Sequence, residues 1–589
     1  MSRPLDTPPA IFQAWFSGFT AAMTATDPDG VASLFLPHGW FRDVLTLTWD
    51  FRALRGPTKI SAYLKDHLPL LTLSNFQPDA DPFLLPHFVP ESNQGTIEAA
   101  FTYETPIAYG RGYVQLAKTA PERGWSALLV CMTLTDLKGH EEPRDPIDWE
   151  SEAQGRPYGE LVAERHGRNE RDPHVLIIGA GQTGLQVAAR CDRLGIPTLL
   201  IEQSERIGDI WRHRYDSLAL HTPKMHHFFL YQPFPESWPI FTPRDRLADW
   251  LETYAINQEL TVWPKSKLAR QPIWDHTSQR WNVTVNRGGT PMQIRPAHIV
   301  VSTGVLGAPQ HPDIADRHLF KGITMHGCQY KNAYPFKDKD VVVIGAGNSS
   351  IDICQDSVYA GAKSVTMVQR SSTCVTARSN VVKNMGKNWP SGEPSDVGDF
   401  RFGSTPLGML REHMIAHQED TWAADRELHA KLRKGGMQLH IGSEGQGQFL
   451  MVFERAGGYW LDKGGADLIA SGDIKIKQGV APKAYTSDGL IFTDGSKLKA
   501  DVVVAATGYK YMRETSVALL GADVIDRTGQ VWGLDAEGEL SGTYRPSGHP
   551  GLWFAAGDFF NGRYMSKHLA LQIKARQLGY INDGQRASL

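Results

Sequence analysis

The sequence predicts an α/β protein with two doubly wound units of parallel strands and helices, preceded by a small α+β domain. Three observations predict it. Residues 174–203, HVLIIGAGQTGLQVAARCDRLGIPTLLIEQ, read as strand, glycine loop, helix, strand and acid. Residues 340–355, DVVVIGAGNSSIDICQ, repeat the strand, glycine loop and helix start. Between them lies FKGITMHGCQY, residues 320–330, which fits F-x-G-x-x-x-H-x-x-x-Y through Phe320, Gly322, His326 and Tyr330. Buried strands that alternate with helices build parallel sheets.

The first 137 residues predict the small domain. Ile11, Phe12, Trp15, Phe16, Phe19, Ala22 and Met23 make one helical stripe. Asp27-Pro28 restarts a second helix, and TKISAYLKDHL at 58–68 predicts a third. Strand-like runs begin at Trp40 and recur at 96–104, 112–119 and 125–136, which predicts helices followed by a curved antiparallel sheet over 10–137. This stretch resembles the ketosteroid-isomerase-like cone fold, which encloses a pocket. His38, Asp43 and His67 are the polar residues such a pocket could use; a packing or homodimerisation module is the competing expectation. Residues 138–172 are dense in charge, Pro and Gly, which is linker composition, with Trp149 and Tyr158 available to dock it.

The first glycine loop has a physical logic. Gly179 makes the tight turn, Gly181 lets backbone approach a pyrophosphate, and Gly184 allows helix to pack closely on strand. The helix N-terminus faces the anion. Glu202 follows Gly179 by 23 residues (202 − 179), where an acid accepts from ribose hydroxyls. Gly208 and Trp211 lie just beyond it and could flank a bound ring system.

The second loop, Gly345-Ala-Gly347-Asn348-Ser349-Ser350, puts serine where the third glycine would stand. Its second strand ends in Gln369-Arg370-Ser371, with Arg370 25 residues (370 − 345) past the first glycine. A carboxylate repels a ribose 2′-phosphate, whereas a guanidinium binds it bidentately. An acid at the first loop and a cation at the second therefore predict FAD at the first Rossmann-like domain and NADPH at the second.

Residues 379–457 have weaker periodicity. Residues 378–406 look loop-like and the next thirty or so helical, an insertion that could cover a substrate channel. LKADVVVAATGY at 498–509 is a strand ending in T-G-Y, echoed by HIVVSTGVLG at 298–307. GLWFAAGDFF places Asp558 after a strand, where it could accept from ribityl hydroxyls or cap a helix. The predicted division is 10–137, a linker at 138–172, the first part of the FAD domain at 173–335, the NADPH domain with its insertion at 336–484, and the returning part of the FAD domain at 485–580.

Composition excludes several classes. A formal charge of −3 gives no electrostatic case for nucleic acid or an anionic membrane surface. The five cysteines form no C-x-x-C and no Cys/His cluster has zinc spacing, so neither a metal site nor a dithiol reductase is expected. Met1–Pro9 lacks signal-peptide character and no apolar run reaches the roughly 20 residues of a membrane helix, so the expected location is the cytoplasm.

Together, the two loops, the F-x-G-x-x-x-H-x-x-x-Y segment, the T-G-Y strand and the Gly557-Asp558 turn resemble class B flavin-dependent monooxygenases. These include flavin-containing and plant-type indole-3-pyruvate monooxygenases. The resemblance, over about 173–580, implies that Gly179, Gly181, Gly184, Glu202, Gly208, Trp211 and Asp558 serve FAD. It implies that Gly345, Gly347, Asn348, Ser349, Arg370 and Ser371 serve NADPH. It implies oxygen insertion from O2 into a small organic substrate through a C4a-(hydro)peroxyflavin. Members that oxygenate nitrogen carry Asn after the Gly-x-Trp turn. This chain has His221-Thr222-Pro223-Lys224, closer to the indole-3-pyruvate type. The fingerprint ends in Tyr330, where Baeyer–Villiger members carry Trp. His221 and Lys224 are the candidate side chains at the reacting centre, and His326 a group coupling the two domains. The alternatives are a Baeyer–Villiger or keto-acid monooxygenase and an NADPH oxidase or redox-responsive flavoprotein.

Overall fold

The computed structural model describes residues 7–90, 95–118, 124–143, 148–150 and 155–581. Two five-stranded parallel sheets carry the two glycine loops. The first runs Val262–Trp263, Thr198–Ile201, Val175–Ile178, His298–Val301, Leu552–Phe554. Val175–Ile178, Thr198–Ile201, His298–Val301 and Leu552–Phe554 are buried at every position, as continuous apolar runs require when both faces of a sheet are covered. The second sheet runs Ile323–His326, Val502–Ala505, Asp340–Ile344, Ser364–Gln369, Ile474–Gln478.

This pairing corrects two expected boundaries. Ile323–His326 is the edge strand of the second sheet, and Val502–Ala505 lies beside it. The fingerprint and the T-G-Y strand thus sit on the second sheet, and the chain returns to the first only at Leu552–Phe554. Alternating apolar character marks a strand but not which sheet it joins. Gly322 is used for close approach rather than for a turn: a Cβ there would run into the Asp501 carbonyl.

The N-terminal domain has the predicted helices, Pro8–Thr24, Pro28–Ser33 and Pro57–His67, but its sheet is mixed. Phe35–Val44 pairs parallel to Trp125–Leu137 and antiparallel to Phe51–Arg55. Thr96–Glu104, Ala108–Lys118 and Trp125–Leu137 form an antiparallel meander. The predicted stripe is the core face: Phe12, Trp15, Phe16, Phe19 and Met23 are all buried. Asp43 is buried, accepts from Tyr63 Oη at 2.6 Å and from the N–H groups of Thr46, Leu47 and Thr48, and burial outweighs these bonds to push its carboxyl up to about 6. His38 is exposed and lines no interior.

The described end of the linker, residues 158–171, is helical where its composition predicts a linker. Tyr158–Arg171 is a helix docked on the first sheet's edge: Tyr158 donates to Glu259 at 2.7 Å, Asn169 to Thr261 at 3.1 Å, and Trp263 to Glu170 at 2.8 Å. Charge-rich residues here make directed bonds instead of remaining solvated.

The insertion also departs from expectation. Two helices, Arg378–Asn388 and Ser395–Ser404, occupy the stretch that reads as loop. Its glycines serve helix contacts: a Cβ on Gly398 would meet Asn388 and Trp389, and one on Gly403 would enter the Tyr564 ring. No helix among the described residues is long and apolar enough to cross a membrane.

Candidate active site

Both glycine loops are shaped for a pyrophosphate. Gly179 and Gly345 have φ of 105° and 120°, which only glycine adopts freely. A Cβ on Gly179 would meet the Ser302 carbonyl, and one on Gly345 the Ala506 carbonyl. A Cβ on Gly184 would strike Gly179, so helix and strand touch there. Gly181 has nothing within 4 Å of its missing Cβ, which leaves open space in front of the helix Gln182–Arg193. That helix start has no side-chain cap, so its first-turn N–H groups are left for an anion. Gly347 is nearly as open, with only the Tyr459 carbonyl at 3.8 Å. Ser350 is fully buried in the third-glycine position and its hydroxyl accepts from Gly347 N at 3.4 Å.

The acid and the cation stand at matching places. Glu202 follows Thr198–Ile201 and accepts from Ala180 N at 3.0 Å and Ser204 N at 2.8 Å. Arg370 and Ser371 are exposed at the end of Ser364–Gln369. Asn348 accepts from Leu461 N at 3.2 Å and Ser349 is half-buried beside it. Gly208 has φ of 90° and lies against the Ala248 carbonyl. Trp211 donates to Gln182 at 3.4 Å, over the start of the first-loop helix, and packs against the cores of both units.

Asp558 does two things. One oxygen accepts from Asn561 N at 3.0 Å, a helix cap; the other bonds His226 Nε2 at 2.7 Å. Its side chain keeps 30% exposure while that of His226 has 3%. Burial pushes the Asp558 carboxyl up, but the charge and hydrogen bond of His226 prevail and hold it below the usual range. His226 Nδ1 is buried without a partner, inside rings of Trp389 at 5.0 Å, His227 at 5.6 Å and Phe560 at 6.4 Å. Tyr459, whose backbone borders Gly347, is pushed up to about 12 by burial and by the Asp558 charge.

The candidate side chains at the reacting centre have different surroundings. His221 Nε2 lies 3.4 Å from Asp352 on the second-loop helix, which also receives Tyr215 Oη at 2.7 Å and Lys463 at 2.8 Å. Burial would raise the Asp352 carboxyl, but His221 and Lys463 lower it far below the carboxylate range. Lys224 donates to the Glu236 carbonyl and, at 2.9 Å, to the Trp238 carbonyl, so its ammonium pins a loop. His326 is buried; its Nδ1 accepts from Cys328 N at 3.1 Å, which leaves the ring proton on Nε2. Burial, with the neighbouring His311, lowers its pKa below the usual imidazole range. Tyr330 donates to Asp356 at 3.0 Å, and Ser217 donates to the same oxygen at 2.6 Å. The fingerprint thus ties second-sheet edge, second-loop helix and first unit together.

Sequence reasoning passed over His226, Asp352, Asp356 and Arg378. Asp352 and Asp356, four apart on one helix, were a readable signal of a shared face. Arg378 opens the helix Arg378–Asn388, donates to the Leu220 carbonyl at 3.0 Å and stacks 3.1 Å over Phe241. Its Nε is buried without a partner, and burial, opposed by the Asp352 charge, pulls it down to about 10.

Comparison with known proteins agrees with this geometry. The family model described as FMO-like, flavin-binding monooxygenase-like, matches residues 172–519. The chain is 30% identical over 350 residues to indole-3-pyruvate monooxygenase YUCCA1 of Oryza sativa subsp. japonica, covering 57% of this chain and 77% of that protein. It is 30% identical over 341 residues to probable indole-3-pyruvate monooxygenase YUCCA9 of Arabidopsis thaliana, covering 57% and 74%. Among solved structures, OTEMO in complex with FAD and NADP has a TM-score of 0.51 at 18% identity, covering 70% of this chain and 87% of that one. Open cyclohexanone monooxygenase has a TM-score of 0.50 at 14% identity, covering 70% and 88%. At these identities the structures speak for the fold alone.

Proposed function

Because the chain belongs to the flavin-binding monooxygenase-like family, an FAD- and NADPH-dependent class that uses O2, we propose that its substrate is a small aromatic α-keto acid. The observation that carries this reading is Arg378, a half-buried guanidinium beside the His221 segment with no carboxylate partner among the described residues. A half-buried guanidinium whose hydrogen bond goes to a carbonyl is stabilised further by an anion that joins it, and a substrate carboxylate is such an anion. The similarity to indole-3-pyruvate monooxygenases supports the same class.

When bound, the cofactors supply hydride reduction of the flavin and activation of O2 by the reduced flavin. The protein's residues bind, orient and shield. Gly179, Gly181 and Gly184 with Glu202 would hold FAD, and Gly345, Gly347, Asn348 and Ser349 with Arg370 and Ser371 would hold NADPH. Asp558 would serve FAD, with its carboxylate held by His226 Nε2 at 2.7 Å. Trp389, Phe402 and Phe560 form the aromatic wall that keeps water out. The net reaction converts an α-keto acid, O2, NADPH and a proton into the acid one carbon shorter, CO2, water and NADP+.

The test is a substrate comparison. Indole-3-pyruvate or phenylpyruvate should speed NADPH oxidation and release CO2, while cyclohexanone and a thioether should not. Arg378→Met should raise KM for the keto acid about tenfold or more, the loss of a charged hydrogen bond. Equal turnover of ketone or thioether would reject the reading.

A further inference from the structure

The N-terminal domain lies outside the residues the family model matches, and nothing in the proposed chemistry uses it. The geometry points to a task for it: it is an intramolecular brace that holds the insertion helix Ser395–Ser404, and through it the Trp389–His226–Asp558 stack, in place. The inference goes beyond the proposed substrate and does not depend on it.

That helix is clamped from two sides. On the N-terminal side, Arg111 lies 4.7 Å over the Phe400 ring, itself held by Asp79 at 2.6 Å and Asp81 at 3.1 Å. Tyr113 packs edge-on to Phe400 with centroids 6.0 Å apart. Arg401 donates to the Phe83 carbonyl, and Arg42 to the Gly403 carbonyl. Arg42 is in turn gripped bidentately by Glu539 at 2.6 Å, both side chains nearly inaccessible. Such a buried guanidinium–carboxylate fork fixes geometry because neither partner tolerates losing the other.

On the opposite side the helix bears on the candidate site. Asp399 receives Arg563 at 2.5 and 2.6 Å and Trp389 Nε1 at 2.9 Å. Trp389 then stands edge-on to His226. Phe402 packs against Phe560 at 4.8 Å, two residues beyond Asp558. Arg563 also donates to the Phe228 carbonyl, at 2.5 Å, and so holds the segment that carries His226. An unbroken run of directed contacts thus leads from the N-terminal sheet to the His226–Asp558 pair.

Hydrogen exchange on the full-length holoenzyme tests this, since local opening is read segment by segment. Phe400→Ala removes the brace-side contact and leaves Asp399 and Phe402 intact. Exchange should rise about tenfold in 378–404 and in 224–230, while 340–369 of the second sheet stays within about twofold. No rise in 378–404 would overturn the brace. A rise there without one in 224–230 would cut the link to the site, and an equal rise in 340–369 would reduce the contact to ordinary stability. Should Phe400→Ala not fold, Arg401→Ala, compared with Glu393→Ala, which breaks the Arg401–Glu393 ion pair and keeps the bond to Phe83, isolates the bond to Phe83. It should give about a threefold rise in 378–404, and no change would equally overturn the proposal.

Discussion

His226 and Asp558 stand 332 residues apart in the chain and meet at 2.7 Å, imidazole Nε2 to carboxylate. The pair joins the segment after the first glycine loop to the strand end that closes the first sheet.

Removing that partner should weaken the flavin site. His226→Leu leaves the Asp558 carboxylate without its charged hydrogen bond, worth about 1.5–3 kcal/mol, so FAD affinity should fall about tenfold or more. His226→Gln can still donate and should stay within about threefold of wild type. Because Asp558 is held below the usual carboxylate range, it stays charged as pH falls through 5. Wild-type FAD retention should therefore be flat from pH 8 to 5, whereas the Leu variant should lose flavin in that window. Titration of apoenzyme with FAD at several pH values measures this; a flat Leu profile would count against the pair.

Arg370 should set coenzyme choice. It stands exposed at the end of Ser364–Gln369, where Glu202 stands in the first unit. Arg370→Ala should raise KM for NADPH about tenfold to a hundredfold, from about 1.5–3 kcal/mol of charged hydrogen bonding, and leave KM for NADH unchanged. Steady-state kinetics with both coenzymes decide it.

The two units should be coupled through Asp352 and Asp356. Asp352→Asn weakens bonds from Tyr215, His221 and Lys463, the last two about one-quarter exposed, so the loss should be about 2–3 kcal/mol, below the fully buried range. Tyr330→Phe and Ser217→Ala each remove one donor to Asp356 and should cost about 1 kcal/mol. Their double variant should be non-additive by about 0.5 kcal/mol or more, because they share one oxygen. Denaturant unfolding of the four variants measures this.

Acid should loosen the joint with the N-terminal domain. His568 is buried, bonds Thr133 at 3.0 Å, and is pulled down to about 3 by burial and by Arg42 and Arg190. Its folded pKa lies below the unfolded value, so the unfolded chain takes up the proton first. Stability is full above about pH 6.5 and falls as pH drops toward the folded pKa, by about 2 kcal/mol at pH 5. His568→Gln should flatten that slope in Tm against pH between 7 and 5.

Much of this was legible in the chain. The shape of the glycine loops and the places of Glu202 and Arg370 at their strand ends could be read because each rests on a local pattern at fixed spacing. The first helix of the N-terminal domain was legible from its apolar stripe and the second from its Asp27-Pro28 start. What could not be read depends on distant partners. Nothing near His226 announces Asp558, and Lys224 resembles a reactive group until its ammonium is seen on two carbonyls. Helices 378–388 and 395–404 read as loop because their apolar periodicity is weak, and Gly398 and Gly403 in the second are there for close packing. Val502–Ala505 had a clear strand pattern whose sheet only tertiary pairing decides.

The most direct test is oxygen labelling. Purified holoenzyme turning over phenylpyruvate with NADPH under 18O2 should yield phenylacetate carrying one labelled oxygen, with CO2 released and little H2O2 formed. Stoichiometric H2O2 per NADPH, with no label in any product from keto acid, ketone or thioether, would contradict monooxygenation by this chain.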